Sequence, residues 1–183
     1  MLSRLQSRGD RKMNNLLETV KAVLSTTTTH WMNLTESLPE DLLARKPLPN
    51  EWSAMDCLCH LLDTERWIFP KRVQALLAGE NFVGFDPDKQ GTPYTSQNPK
   101  QLTEEFAQLR KSSLIELAKA TPHDLSLKAR HSELGVVTLE QLLHEWAAHD
   151  LMHTVQAERA ILQPLILGSG PWRPYFKDHD VSK

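Results

Sequence analysis

Apolar residues recur at helical spacing in four long segments of the chain. These segments run from Lys12 to about Leu38, from Ser53 to about Ala78, from about Lys100 to Ala120 and from Thr138 to about Leu162. Spacings of three and four residues place the apolar side chains on one face of each helix. No segment has a clear strand pattern. The sequence therefore predicts an all-α protein that folds as a four-helix bundle.

Capping and turn residues predict where these helices begin and end. Ser53 and Thr138 are suitable N-cap residues for the second and fourth helices, and Asp56 can complete a capping box with Ser53. Pro70 predicts a kink inside the second helix, and Pro164 predicts the end of the fourth.

Long connections separate the helices. Residues 81–99 contain several Gly or Pro turns and are predicted as a loop, and residues 123–137 are predicted as irregular or briefly extended. A chain of 183 residues suits one domain. We therefore expect a single bundle domain over 1–183, with its core at about 12–163 and a mobile or loosely docked tail at 164–183.

Composition argues against several classes of function. The 21 basic residues nearly balance the 23 acidic ones, for a net charge of −2, which disfavours a nucleic-acid or anionic-membrane surface. The sequence contains no run of 18 apolar residues, which a membrane-spanning helix would need. The N-terminus lacks the apolar core of a secretory signal. The two cysteines, Cys57 and Cys59, would point away from each other on a helix and could not easily form a disulfide, which favours a cytoplasmic location.

Two histidines on the fourth helix are the first candidates for chemistry. His149 and His153 are four residues apart, which brings both imidazoles to one side of a helix. They fall on the apolar seam of Leu142, Trp146, His149, His153, Gln156 and Ala160. Because a buried imidazole needs a partner, the two are either hydrogen-bonded core residues or ligands of one metal ion. His144 points away from this seam and is predicted to lie on the surface.

His60 is the candidate for a third ligand. Asp56 and Asp63 lie on its side of the second helix, where a carboxylate can fix the tautomer of a metal-binding imidazole. Helical periodicity, however, puts His60 on the polar side, so an exposed histidine among acids is the alternative. Cys57 and Cys59 could also bind zinc, although small buried thiols are ordinary core residues.

Two parts of the sequence resemble motifs of a known family. Trp52 to Glu65 resembles the second-helix motif of DinB/YfiT-like proteins, in which a Trp-Ser pair opens the helix and His-Leu-x-Asp follows. Residues 135–156 are similar to the fourth-helix motif, with His-Asp-x-x-His-x-x-Gln after a start capped by Thr. The resemblance is close in these two segments and loose over the rest of the chain.

The resemblance implies a four-helix bundle of the DinB/YfiT type with a three-histidine metal site. Carried over to this chain, the ligands are His60, His149 and His153, and the ion is zinc or nickel. Because the family's site opens to a cleft, the resemblance also accounts for the polar position of His60.

Other polar groups near these histidines are candidates for supporting roles. Asp63 and Asp150 could contact the ligand histidines without touching the ion, and Gln156 could orient one of these histidines. A solvated helix charge is the equally strong alternative for Asp150. No general base can be assigned.

Two classes of function fit these features. Three histidines leave a coordination position open, as in a catalytic metal site that activates water or holds a thiol as thiolate. The first class is therefore a metal-dependent hydrolase of small molecules or a transferase that uses a low-molecular-weight thiol, and the resemblance favours the thiol route. The alternative is a non-catalytic, stress-related metal-binding bundle that binds a ligand or partner. The apolar arc of the second helix could then form a homodimer, although burial inside the bundle explains this arc equally well.

Overall fold

The computed structural model describes residues 2–86 and 98–182, with side chains from residue 15 onward. Its elements are α1 (Leu2–Ser37), α2 (Glu40–Leu43), α3 (Ala54–Trp67), α4 (Phe69–Ala78), α5 (Pro99–Leu117), β1 (Lys128–His131), β2 (Gly135–Thr138) and α6 (Leu139–Gly168), with short 3₁₀ helices at Asp124–Ser126 and Gly170–Phe176. Most of the described residues are helical, which confirms the all-α prediction. Most of the predicted 81–99 loop, residues 87–97, lies outside the described residues.

Four helical units form the bundle: α1, α3 with α4, α5, and α6. α1 packs against α5 and α6, and α3 packs against the same two helices. The buried side chains form two apolar clusters, one around Phe69 and Trp146 and the other around Trp31, Leu58 and Phe106. Nowhere in the described ranges is a helix both long and apolar enough to cross a bilayer.

α3 is buried on nearly all of its sides. Every residue from Ala54 to Glu65 except Asp56 is buried, including His60, of which 8% is exposed. The interpretation of His60 as an exposed histidine is therefore wrong. The apolar arc of α3 packs inside the chain, so it is not a free surface for dimerisation.

Capping interactions start α3 and α6 where the sequence indicates. The hydroxyl of Ser53 accepts from the backbone of Asp56, whose carboxylate accepts from the backbone of Ser53. Thr138 and Gln141 form the same reciprocal pair at the start of α6. These caps satisfy backbone N–H groups that would otherwise lack partners at the helix start.

The break before Pro70 is sharper than a kink. α3 ends at Trp67, Ile68 leaves the helical geometry with φ −116° and ψ −75°, and α4 begins at Phe69. Pro70 lies in the first turn of α4, where its missing N–H costs little.

The connection to α6, predicted as irregular or briefly extended, contains a β-hairpin. β1 and β2 pair antiparallel, with Lys128 opposite Thr138 and His131 opposite Gly135. Phe82 extends this pairing, since its N–H donates to Arg130 and its carbonyl accepts from Ser132. The hairpin is thereby joined to the chain segment that follows α4.

α6 continues through Pro164 to Gly168, so the predicted end of this helix is wrong. Ile166 is buried, and packing beyond the proline stabilises the last turn. The following segment is docked, not mobile: the Gln163 amide donates to the carbonyl of His179 and accepts from the N–H of Val181. An ion pair between Arg173 and Asp180 joins two parts of this segment.

Candidate metal centre

Three histidines from two helices converge in the bundle. α3 carries His60, and α6 carries His149 and His153 one turn apart. One nitrogen from each ring lies within 4.8 Å of the other two, and the Nε2 atoms of His60 and His149 are 2.9 Å apart. Their ring centroids are separated by 4.5 to 5.0 Å. The structure thus brings together the three residues that the sequence singles out.

Gln156 selects the tautomer of His153. Its Oε1 lies 2.8 Å from Nδ1 of His153, and an amide oxygen only accepts, so Nδ1 carries the proton in the neutral ring. Nε2 of His153 then keeps its lone pair. The Nδ1 atoms of His60 and His149 are buried and have no hydrogen-bond partner among the described residues.

Burial keeps all three imidazoles neutral at pH 7. Desolvation, helped by neighbouring His153, lowers the pKa of His60 to about 4. Desolvation and the charges of His153 and His60 lower the pKa of His149 to about 3. Burial also lowers the pKa of His153. Metal ligation requires this neutral state, because a protonated imidazole has no lone pair to donate.

The donor set fits a divalent ion that accepts imidazole nitrogen. Zinc binds histidine at about 2.0–2.1 Å, which in a tetrahedral site places ligand nitrogens about 3.3 Å apart. The observed separations, from 2.9 Å to no more than 4.8 Å, bracket that value. Zinc and nickel both accept imidazole, so the histidines do not by themselves select between them.

Aromatic rings surround the histidines. Trp52 stacks on His153 with ring centroids 5.5 Å apart, and Phe69 meets His149 edge-on at 5.1 Å. Phe85 stacks on His60 at 6.1 Å. His149 is half-buried, so the centre is not sealed from solvent. The histidines therefore lie in an apolar setting that a small molecule could reach.

The sequence matches the family model of the DinB superfamily over residues 24–157. This chain belongs to the DinB superfamily. Its fold is similar to that of YfiT from Bacillus subtilis, described as a probable metal-dependent hydrolase with an unusual four-helix bundle topology. The two chains are 14% identical, with a TM-score of 0.65 over 82% of this chain and 86% of YfiT. Among proteins with curated descriptions, none matches the sequence significantly.

The two predicted supporting aspartates of this DinB superfamily member are buried but do not hydrogen-bond the histidines within the described residues. Asp63 lies 3.5 Å from the guanidinium of Arg66. Asp150 accepts from Arg110 at 2.7 Å and from Thr27 at 2.8 Å, so it is not a solvated helix charge. Its negative charge raises the pKa of His153, but burial lowers that pKa by more.

Arg110 is a site neighbour that the sequence reading missed. Its buried guanidinium binds Asp150 on α6, Glu65 on α3 and the carbonyl of Leu24 on α1. The sequence does contain an indication of this role, since a charged residue, Arg110, falls on the helical seam that Leu102, Phe106, Ser113 and Leu117 also occupy. A charge on a core seam requires buried partners.

The remaining candidates lie away from the three histidines. His144 is exposed on α6, as predicted. Cys57 and Cys59 are free, buried thiols in the apolar core, and burial raises their pKa values to about 12 and about 11. Such thiols are poor metal ligands because ligation needs the thiolate.

Proposed function

We propose that this protein is a metal-dependent enzyme that acts on a small molecule, with a divalent ion held by His60, His149 and His153. The observation that carries the proposal is the convergence of three neutral imidazoles within 4.8 Å. Zinc and nickel are the ions that we propose, on the strength of the imidazole donor set.

The ligand count favours catalysis over a purely structural ion. Structural zinc sites usually have four protein ligands, whereas catalytic sites have three and keep one position for water or substrate. Within the part of the chain that the structure describes, the cluster contains three histidines and no fourth ligand. The half-buried His149 provides access from solvent.

Two reaction classes are compatible with this centre. A divalent ion held by three histidines supplies a nucleophile at neutral pH by lowering the pKa of water or of a thiol. The description of YfiT as a metal-dependent hydrolase supports hydrolysis. The resemblance to DinB/YfiT-like proteins slightly favours transfer of a low-molecular-weight thiol. In either reaction Gln156 orients His153, and the aromatic side chains reduce the access of bulk water.

Activity screening of the metal-loaded protein tests this proposal. One panel contains small esters and amides, and the other pairs low-molecular-weight thiols with electrophiles. We expect turnover in one panel that disappears on chelation and returns with zinc or nickel. Activity that survives complete metal removal would place the chemistry elsewhere. A tightly bound ion without turnover in either panel would favour the non-catalytic alternative.

Location and assembly remain predictions. We propose a cytoplasmic protein, because both cysteines are unpaired. A homodimer is also proposed, but it must use a surface other than the buried arc of α3. Size-exclusion chromatography with light scattering tests the assembly, and a monomer at all concentrations would contradict it.

A further inference from the structure

A cavity lies between α4, the hairpin and the first turns of α6, the helix that also carries His149 and His153. It has a volume of about 410 Å³ and apolar walls that include Phe82, Val136 and Leu142. Its polar groups include Arg72 and the buried His131. Ligand pockets are typically about 300–1,000 Å³, mostly apolar, with a few convergent polar groups.

The backbone fixes the tautomer of His131. Its Nδ1 accepts hydrogen bonds from the N–H groups of Glu133 at 3.1 Å and Leu134 at 3.3 Å. In the neutral ring, the proton must therefore be on Nε2. Desolvation and the nearby charge of Arg72 lower the pKa of His131, which favours this neutral form.

Two hydrogen-bond donors consequently meet in the cavity. Nη2 of Arg72 lies 3.5 Å from Nε2 of His131, and both atoms carry protons. They cannot bind each other, but one oxygen atom placed between them could accept from both. His131 is 5% exposed, so a partner reaches its ring chiefly through this cavity. A buried donor without an acceptor is costly, and an anionic oxygen is the strongest acceptor available.

The protein's own acids do not neutralise Arg72 by direct contact. Desolvation lowers the pKa of Arg72 and the charges of Glu145 and Glu133 oppose this shift, yet neither acid forms an ion pair with Arg72 among the described residues. Arg72 instead donates to the carbonyl of Val83 and lies over the ring of Phe82. Its position is thus fixed by neutral groups, and its charge remains available to a ligand.

We propose that Arg72 and His131 together bind the carboxylate of a small ligand whose apolar part fills the cavity. The carboxylate oxygen lies between the two donors, and the apolar walls exclude long polar or highly charged molecules. This site recognises a short aliphatic or aromatic carboxylate.

The cavity and the metal centre share helix α6. Leu142 and Glu145 line the cavity, and His149 follows Glu145 by about one turn. The charge of Arg72 reaches His149 and lowers its pKa. On α4, Phe69 touches His149 and precedes Arg72 by three residues. This assignment rests on the proposed function: the carboxylate is part of the substrate of the metal centre, and the reactive end of that substrate lies toward His149.

Calorimetric titration of the full chain with benzoate tests the carboxylate site. Benzamide is the neutral isostere, and inorganic phosphate tests whether any anion suffices. Because a carboxylate can also ligate a metal, each titration is made on zinc-loaded and on chelated protein. We expect benzoate to bind both forms, and benzamide and phosphate to bind about tenfold more weakly or not at all.

Two variants remove one donor each. We expect Arg72→Gln to weaken benzoate binding about 10- to 100-fold, as expected for a lost hydrogen bond to a charged group. His131→Asn keeps an acceptor for the backbone N–H groups that bind Nδ1, but it removes the Nε2 donor. This variant should bind benzoate about tenfold more weakly. Arg130→Gln, an equal charge change on the exposed face of β1, is the matched control and should bind like the parent protein.

The outcomes separate this inference from the proposed function. Equal binding of benzoate and benzamide, or unchanged binding in Arg72→Gln, would overturn the carboxylate site. Binding only to the zinc-loaded form would make benzoate a metal ligand and would also overturn it, and phosphate bound more tightly than benzoate would make it a site for inorganic anions. Failure of the protein to bind metal would reject the proposed function while leaving the benzoate result intact.

Discussion

Gln156 determines which nitrogen His153 presents to the other two histidines, because its amide oxygen holds the Nδ1 proton. Replacement by leucine keeps a similar volume but removes the acceptor. We expect Gln156→Leu to weaken metal binding about 10- to 100-fold, the usual effect of losing a partner that orients a ligand. Gln156→Glu keeps an acceptor oxygen and should restore the affinity. Competition with a chromophoric chelator measures the dissociation constants, and equal affinities in parent and leucine variant would show that Gln156 does not support the site.

Arg110 connects the elements that carry the histidines, since it binds Glu65 on α3 and Asp150 on α6. Its removal would leave two buried carboxylates without their cation. We expect Arg110→Ala to lower the free energy of unfolding by about 3–5 kcal/mol. Urea denaturation of metal-free protein measures the change.

Lys119→Ala is the control for Arg110. Lys119 pairs with Glu116, and both side chains are largely exposed. An exposed pair contributes at most about 1 kcal/mol, so this variant should unfold close to the parent protein. Similar losses in the two variants would mean that the buried cluster has no special role in holding the helices together.

Elements with strong local signals could be predicted from sequence, and elements held by tertiary contacts could not. The caps at Ser53 and Thr138 depend on residues three positions away, so the sequence contains the whole interaction. The hairpin depends partly on Phe82, which is distant in sequence, and the last turn of α6 depends on the burial of Ile166. These tertiary contacts override the local indications, including the helix-breaking tendency of Pro164.

The histidine site could likewise be predicted from sequence only in part. The four-residue spacing of His149 and His153 indicates their shared face from sequence alone. His60 could not be placed by periodicity, because α3 is buried on almost every side and its polar residues are not segregated toward solvent. The neighbouring Asp56 and Asp63 made it a candidate ligand, and the family motif around Trp52 linked it to the other two histidines.

At the scale of the whole molecule, the buried histidines make metal-free stability depend on pH. The pKa values of His60 and His149 are about 4 and about 3 in the folded state, below the ordinary value of 6.5. Between about pH 6.5 and about pH 3 the unfolded chain therefore binds more protons than the folded chain, so the free energy of unfolding falls as the pH is lowered. We expect a lower urea midpoint at pH 5 than at pH 7 for the chelated protein. His149→Phe should reduce this difference, and a midpoint independent of pH would contradict the burial of neutral imidazoles.

The apolar core should keep the protein folded without an ion. Two clusters of buried side chains support the bundle independently of the three histidines. Chelation should leave the helical circular dichroism spectrum unchanged at 25 °C, yet lower the melting temperature, because an ion that binds only the native state stabilises it by mass action. A chelated protein that unfolds outright at 25 °C would make the ion structural.

We propose that His60, His149 and His153 together hold one metal ion. Metal content per chain, measured by mass spectrometry on zinc- and nickel-loaded protein, tests it most directly. We predict about one ion in the parent protein, loss of the ion in His60→Ala, His149→Ala and His153→Ala, and full retention in His144→Ala, whose imidazole is exposed on the same helix as two of the ligands. A full ion retained by the His60→Ala variant, or no ion in the parent protein, would contradict the account.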